Sequence, residues 1–137
     1  MGQKINPIGF RLGSFYTWTS RWYADKKNYR RFLLEDVKIR KILMSKLRAA
    51  GIARVEIERS INTMEVIIFV SRPGLVIGRG GSGMDDLKKY LLKALNYQDT
   101  TKNTPRVDIK IEPIKEPNLD AYLVATNIAE QLMKRFP

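Results

Sequence analysis

The chain has 137 residues and a formal net charge of +11, with 25 lysines and arginines, 14 acidic residues, no cysteine and no histidine. Without cysteine it can form no disulfide and no thiolate metal site, and without histidine it lacks the commonest zinc ligand and the commonest general base. We therefore expect no bound metal and no catalysis by histidine or cysteine. The positive charge favours a polyanionic partner, and no apolar run is long enough to cross a bilayer. An anionic membrane could also attract the charge, but the basic stretch shows no clear amphipathic helix to insert, so no membrane partner is expected.

Residues 1–34 are predicted to form a basic, aromatic arm, since Asn6-Pro7, Gly9 and Gly13 interrupt any early helix. Eight of the 13 aromatic residues lie between positions 10 and 32, and residues 1–59 carry a net charge of +9 against +2 for the remainder. In one interpretation the cations contact phosphate and the rings stack on exposed bases. In the alternative, expected for about half of the rings, they hold the arm on the domain by burying apolar area.

A helix is predicted for residues 36–50, where apolar side chains recur every three or four positions. Asp36 is its predicted N-cap and Gly51 its stop. Two strands follow at residues 52–59 and 64–70. The first alternates apolar and charged residues, and the second is more continuously apolar, so the two are predicted to pair as a hairpin with the second strand inside.

The most informative stretch is the glycine loop, Gly78-Arg79-Gly80-Gly81-Ser82-Gly83, which a short helical turn precedes and a longer helix follows. With Val76-Ile77 in front, it reads V-I-G-x-x-G, a pattern typical of KH-type RNA-binding modules. Glycine has no Cβ, so a nucleic-acid backbone can approach such a loop closely. This interpretation predicts an RNA-binding protein with no catalytic activity.

Two other interpretations of the loop remain open at this point. Gly78, Gly80 and Gly83 also match G-x-G-x-x-G, the motif of dinucleotide-binding enzymes. That motif requires a strand before the loop and an acidic residue about 20 positions later, where only Asp99 is available. The third interpretation is a flexible glycine turn that binds nothing.

After a polar connection at residues 96–105, residues 107–112 alternate as a third strand, and Asn118 is the predicted cap of a final helix. The apolar stripe of that helix, predicted to face the core, consists of Leu119, Tyr122, Leu123, Thr126, Ala129, Met133 and Phe136. The element order is thus α-β-β-α-α-β followed by a helix. A dinucleotide-binding fold would instead alternate strand and helix around the loop.

Several segments along the chain carry a more specific pattern. They are Met1-Gly2-Gln3-Lys4-Ile5-Asn6-Pro7-Ile8-Gly9-Phe10-Arg11-Leu12-Gly13, Trp18, Trp22-Tyr23-Ala24, Asp36-Val37-Lys38-Ile39-Arg40, Ile57-Glu58-Arg59, Arg72-Pro73-Gly74-Leu75-Val76-Ile77-Gly78 and Leu119-Asp120-Ala121. In these segments the chain resembles the family of the bacterial third small-subunit ribosomal protein, and the resemblance extends over its whole length.

The resemblance implies an α+β fold of the α/β sandwich kind: a type II KH domain with a three-stranded mixed sheet and helices on one face. It implies an arm at residues 1–34 and the KH domain with a trailing helix at residues 35–137. The implied function is that of a structural constituent of the small ribosomal subunit, which binds ribosomal RNA in the head and helps to shape the region where messenger RNA enters. No cofactor and no small-molecule substrate are implied. A dinucleotide-binding enzyme is the alternative.

The implied partners are small-subunit ribosomal RNA, messenger RNA near the channel through which it enters, and neighbouring proteins of the subunit head. The implied location is the cytoplasmic ribosome, or alternatively an organellar one. In the loop, Gly78 and Gly81 would set the backbone, Arg79 would meet phosphate, and Gly80 is a further candidate RNA-binding residue. Val76 and Ile77 would wall the groove. The arm candidates for phosphate contact are Gln3, Lys4, Arg11, Arg21, Lys26 and Lys27.

The chain departs from the family in three respects. Asn6 stands where the family usually has histidine. The loop carries one cation, Arg79, where the family commonly has two lysines, which implies weaker attraction of phosphate. The family also continues into a second α/β domain beyond the region that these 137 residues resemble. A groove that holds RNA or protein backbone without reading bases is a further alternative for the loop.

Overall fold

A computed structural model describes residues 2–97 and 105–135 and shows a mixed α+β fold. The elements in chain order are α1 (Pro7–Phe10), β1 (Ser20–Arg21), α2 (Lys26–Lys46), β2 (Ile52–Arg59), β3 (Thr63–Val70), α3 (Pro73–Ile77), α4 (Ser82–Ala94), β4 (Arg106–Pro113) and α5 (Ala121–Met133). The predicted α-β-β-α-α-β order with a final helix is confirmed. No helix in the described residues is long and apolar enough to cross a bilayer.

The four strands form one sheet in the order β1-β2-β3-β4. β2 and β3 pair as an antiparallel hairpin, while β3 and β4 run parallel, so that Val66 lies opposite both Ile57 and Ile109. Parallel neighbours require a crossover connection, which here contains α3 and α4. The mixed sheet is confirmed with one strand more than predicted, because the arm adds the two-residue β1 in parallel to β2.

The core lies between one face of the sheet and the helices α2 and α4. On β3 the residues of one face are buried, in the alternation expected of a strand with one covered face. The buried apolar residues of β3 and of the two helices are Met64, Val66, Ile68, Val70, Ile39, Leu43, Leu87 and Leu91. The opposite face of the sheet carries mostly charged side chains.

Helix α2 begins at Lys26, so the predicted start at Asp36 is wrong. Asp25 takes the N-cap position, and the segment between Asp25 and Asp36 contains neither glycine nor proline to interrupt a helix. Asp36 is buried in the middle of α2, where residues distant in sequence bind its carboxylate. The boundary proposed at residue 34 between arm and domain therefore falls inside a continuous helix.

Helix α5 lies at the margin of the domain, so the prediction that its apolar stripe faces the core is wrong. Leu119, Tyr122 and Met133 are exposed, and only Leu123 and Thr126 of the stripe are half-buried. The physical reason is that α2 and α4 already cover the inner face of the sheet. The predicted stripe residue Phe136 lies outside the described residues.

The start of α5 also differs from the prediction. The carboxylate of Asp120 accepts hydrogen bonds from the backbone N–H groups of Tyr122 at 3.0 Å and Leu123 at 3.1 Å, so Asp120 and not Asn118 caps the helix. Asp120 satisfies two backbone donors that the first turn would otherwise leave unpaired. Most of the predicted connection at residues 96–105 lies outside the described residues.

Candidate nucleic-acid interface

The glycine loop joins the end of α3 to the start of α4. Gly78, Gly80 and Gly81 have φ angles of +71°, +64° and +81°, in the left-handed region that favours glycine. The ψ angle of Gly78 is −179°, which places it in a region essentially restricted to glycine. Arg79 and Gly80 are exposed, and a Cβ on Gly80 would meet no atom within 4 Å. A nucleic-acid backbone can therefore come close to the loop from outside.

Gly83, in the first turn of α4, marks a close approach that the V-I-G-x-x-G pattern does not cover. A Cβ on Gly83 would lie 2.5 Å from the carbonyl oxygen of Val76 and 3.0 Å from that of Ile77. The start of α4 thus lies directly against the backbone of α3. A glycine inside a helical pattern is the sequence signal that could have revealed this contact.

The dinucleotide interpretation of the loop is wrong. A dinucleotide-binding turn needs a strand in front of its first glycine, whereas the helix α3 precedes Gly78 here. Asp99, the acidic residue on which that interpretation depended, lies outside the described residues.

The apolar wall beside the loop differs from the one predicted. Ile77 is 41% exposed and Leu75 is 61% exposed, but Val76 is only 2% exposed and packs in the core. Successive residues of a helix point about 100° apart, so Val76 and Ile77 cannot both face the same groove. Ile77 is exposed beside the loop, as a groove wall requires, whereas the buried Val76 is not available for that role. Leu75 is a further exposed apolar side chain of α3 that sequence reasoning missed.

The outer part of the described arm, residues 2–16, is largely exposed and forms hydrogen bonds only within itself. Gln3, Lys4 and Arg11 are all exposed. Asn6 caps α1, since its side-chain oxygen accepts a hydrogen bond from the Ile8 N–H at 2.9 Å. Within the described part of the arm, residues 2–16 form hydrogen bonds only with one another. The cations of this segment are therefore open to a partner.

Fewer aromatic rings of the arm pack on the domain than predicted. Trp22 and Phe32 are half-buried and meet edge-to-face, with ring centroids 5.7 Å apart. The other six rings are exposed: Phe10, Phe15, Tyr16, Trp18, Tyr23 and Tyr29. Exposed rings of this kind can stack on unpaired bases.

Arg21 is bound to two carboxylates of the neighbouring strand. Its guanidinium donates to Glu58 and, at 3.0 Å, to Glu56. The hydrogen bond to Glu58 is the main reason that the pKa of Arg21 is raised above its usual value. A phosphate would have to compete with both carboxylates for this side chain, which distinguishes Arg21 from the other arm candidates.

Lys26 and Lys27 lie on a helix face that carries only positive charge. The exposed charged residues of α2 are Lys26, Lys27, Arg30, Arg31, Lys38, Lys41 and Lys46. The two acidic residues of the helix, Glu35 and Asp36, are turned inward. Among the described residues, Arg31 is the only one of these cations within ion-pair distance of a carboxylate, that of Glu35 at 3.8 Å. This exposed face of α2, called the basic face below, is suited to phosphate.

The outer face of the sheet also carries cations, but each is paired. Arg54 lies 3.0 Å from Glu56, Arg106 lies 3.3 Å from Asp108, and Lys110 bonds to Glu65. Loss of hydration alone would raise the pKa of Asp108, but Lys88 and Arg106 outweigh it, so that the pKa is lowered. The hydrogen bond to Glu65 raises the pKa of Lys110. This face is nearly neutral in sum.

Comparison with known proteins agrees with this geometry. A family model described as KH domain matches residues 38–119. Over 135 residues, 98% of this chain, the sequence is 48% identical to small ribosomal subunit protein uS3 of Acetivibrio thermocellus and 52% identical to that of Caldicellulosiruptor saccharolyticus. The match covers 56% and 58% of those two proteins, so the chain spans little more than half the length of these relatives. The family model covers more than half of the chain, and the glycine loop lies between α3 and α4 as that family requires. The chain therefore belongs to the KH domain family.

Proposed function

We propose that this chain is a structural constituent of the small ribosomal subunit and binds its ribosomal RNA. The observation that carries the proposal is the similarity, over 98% of the chain, to proteins named small ribosomal subunit protein uS3. The KH fold supports it, because KH modules clamp an RNA backbone at their glycine loop. The proposed role is structural and not catalytic, and the proposed location is the cytoplasmic ribosome, with an organellar ribosome as the alternative.

At the loop, the RNA backbone is proposed to pass over Gly78–Gly81. The glycines leave room for it, and the first turn of α4 directs unpaired N–H groups and the positive end of the helix dipole towards this side. Arg79 adds one positive charge. Leu75 and Ile77 offer apolar surface to a base, but the contact does not require bases to be read, because backbone and phosphate contacts alone suffice to hold RNA.

Away from the loop, the arm and the basic face of α2 are proposed to contact phosphate. Gln3, Lys4 and Arg11 are exposed on the arm, and Lys26 and Lys27 begin the basic face. Salt-dependent release of counterions is the expected source of most of the affinity. Messenger RNA near its channel and neighbouring proteins of the subunit head are proposed as further partners, by analogy with the family that the chain resembles.

Binding of the purified chain to small-subunit ribosomal RNA, measured on filters over a series of potassium chloride concentrations, tests the proposal. Each phosphate contact contributes about 0.7 to 0.9 to the slope of log affinity against log salt, so about four contacts would give a slope near −3. The matched assay is retention on a resin that carries a dinucleotide, where no retention is expected. Salt-insensitive RNA binding, or retention on the resin, would overturn the proposal.

A further inference from the structure

A buried carboxylate connects the arm to the KH domain. Asp36, in the middle of α2, has no exposed surface. One of its oxygens, Oδ2, accepts hydrogen bonds from two arm residues, Ser20 Oγ at 2.9 Å and Trp22 Nε1 at 2.8 Å. The other, Oδ1, accepts from Arg59 of β2, at 3.1 Å from Nε and 2.6 Å from Nη2. One side chain thus joins three separate parts of the chain.

The surrounding groups hold the same short segment of the arm. Arg40 of α2 donates to Ser20 Oγ at 2.6 Å and to the carbonyl oxygen of Thr19 at 3.0 Å. The Thr19 carbonyl also accepts from the Ile57 backbone N–H at 2.9 Å. Trp22 packs edge-to-face on Phe32. Residues 19–22 are therefore fixed on the domain by α2 and β2 together.

The far side of the carboxylate is fixed as well. Arg59 donates to Glu35 at 2.8 Å, and Glu35 accepts a second hydrogen bond from the Tyr97 hydroxyl at 2.8 Å. Burial alone would lower the pKa of Arg59, but Asp36 and Glu35 outweigh it and raise the pKa. A buried charge is tolerated only when it is paired and hydrogen-bonded. Here both oxygens of Asp36 and Oε2 of Glu35 accept hydrogen bonds, and Oε1 of Glu35 lies 3.8 Å from Arg31.

We propose that Asp36 is a positioning residue for RNA binding: by holding Ser20 and Trp22 it determines where the arm leaves the domain. Residues 2–16, which include Lys4 and Arg11, form hydrogen bonds only among themselves in the described structure, so residues 19–22 set their placement. This proposal rests on the proposed RNA-binding function. Its physical basis is preorganisation, since a segment already held in place loses less conformational freedom when it binds.

The test is a double-mutant cycle that measures the coupling between two pairs of arm residues: the hydrogen-bond donors Ser20 and Trp22, and the cations Lys4 and Arg11. The pair Ser20→Ala and Trp22→Phe removes both hydrogen bonds to Asp36 Oδ2 and keeps an aromatic ring against Phe32. Replacing Asp36 itself would also deprive the buried Arg59 of its partner, so the donors are the cleaner target. The second pair, Lys4→Gln and Arg11→Gln, removes the arm cations that the contact is inferred to position.

Affinity for small-subunit ribosomal RNA is measured for the original chain, each pair and the combination, under conditions in which circular dichroism shows all four to be folded. The donor pair should weaken binding in the original chain but have little further effect once Lys4 and Arg11 are neutral. The expected coupling is about 3- to 30-fold, within the range of interacting residues. Should the donor pair not fold, Ser20→Ala alone takes its place in the same cycle.

A merely structural role for Asp36 would appear as an equal loss of affinity in both backgrounds, and that result would overturn the proposal, as would no loss at all. Limited trypsin digestion gives a readout without RNA, since the donor pair should speed cleavage after Arg21 relative to cleavage within the domain. Unchanged cleavage would also count against the proposal. If the original chain shows no salt-dependent RNA binding, the proposed function itself fails, which this cycle distinguishes from failure of Asp36 alone.

Discussion

The basic face of α2 and the outer face of the sheet both carry several cations, but they differ in where the carboxylates lie. On the sheet, Arg21, Arg54, Arg106 and Lys110 each have an acidic side chain within ion-pair distance. Along α2, among the described residues, only Arg31 does. The number of cations therefore does not identify a surface for RNA, because neighbouring carboxylates can neutralise them within the protein.

Geometry accounts for the difference between these two faces. In a sheet, side chains of adjacent strands that point the same way lie next to each other, and Arg21 is paired in register with Glu58. On α2, residues at different positions of the turn point in different directions, so Glu35 and Asp36 face the domain while all lysines and arginines except Arg40 are exposed. The field outside α2 is therefore the stronger of the two.

The largest effect expected from this comparison is on the salt dependence of RNA binding. Replacing Lys27, Arg30 and Lys41 by glutamine removes three charges from the basic face. Each lost phosphate contact lowers the slope of log affinity against log salt, so the slope should fall by about 2 to 3 units in filter-binding measurements with small-subunit ribosomal RNA.

The matched control removes three charges from the outer face of the sheet, by replacing Arg54, Arg106 and Lys110 with glutamine. Because these side chains are already paired with carboxylates, the slope should change by less than about 1 unit. Equal losses for the two triple variants would show that only net charge matters, and the distinction between the two faces would then be wrong.

A glycine substitution in α4 tests whether the basic face binds RNA independently of the glycine loop. Gly83→Ala forces a Cβ against the Val76 carbonyl oxygen, 2.5 Å away, and should lower the free energy of unfolding by about 1 to 3 kcal/mol. Gly74→Ala is the matched control, since Gly74 lies in α3 and a Cβ there meets no atom within 4 Å. Urea denaturation measures both variants.

The RNA affinity of the folded Gly83→Ala variant shows whether the glycine loop contributes to binding in addition to the basic face. If the loop contributes to binding, a changed angle between α3 and α4 should weaken binding, whereas Gly74→Ala should bind as the original chain does. Full affinity in Gly83→Ala, together with the expected loss of stability, would assign binding to α2 and the arm alone.

The smallest expected effect is that of Arg21, which lies on the arm but bonds to the sheet. Arg21→Gln should leave the salt slope of RNA binding almost unchanged, in contrast to Lys27→Gln, which should lower it by about 0.7 to 0.9. Because the ion pairs of Arg21 are partly exposed, its loss should cost less than about 1 kcal/mol of stability. A fall in slope equal to that of Lys27→Gln would mean that Arg21 leaves Glu56 and Glu58 to contact phosphate.

Much of the fold could be predicted from the sequence because its signals are local. The alternation on β2 and β3, the three- and four-residue spacing on α4 and the glycines of the loop each reflect a backbone period or a φ angle that a residue type favours. These signals also determined the order of elements, and with it the KH assignment. The pattern of apolar residues did not reveal the first turns of α2, because they carry no strong start signal. The helix was therefore predicted to begin at Asp36.

Only the tertiary structure decided which charged and apolar side chains are available to a partner. Asp36 reads as a helix cap on its own, but its partners Trp22 and Arg59 lie 14 and 23 positions away. Arg21 meets Glu56 35 positions along the chain, through the pairing of β1 with β2. The burial of Val76 beside the exposed Leu75 likewise follows from how α3 packs. The exposure and pairing of these side chains depend on contacts between segments distant in sequence, which form only when the chain folds.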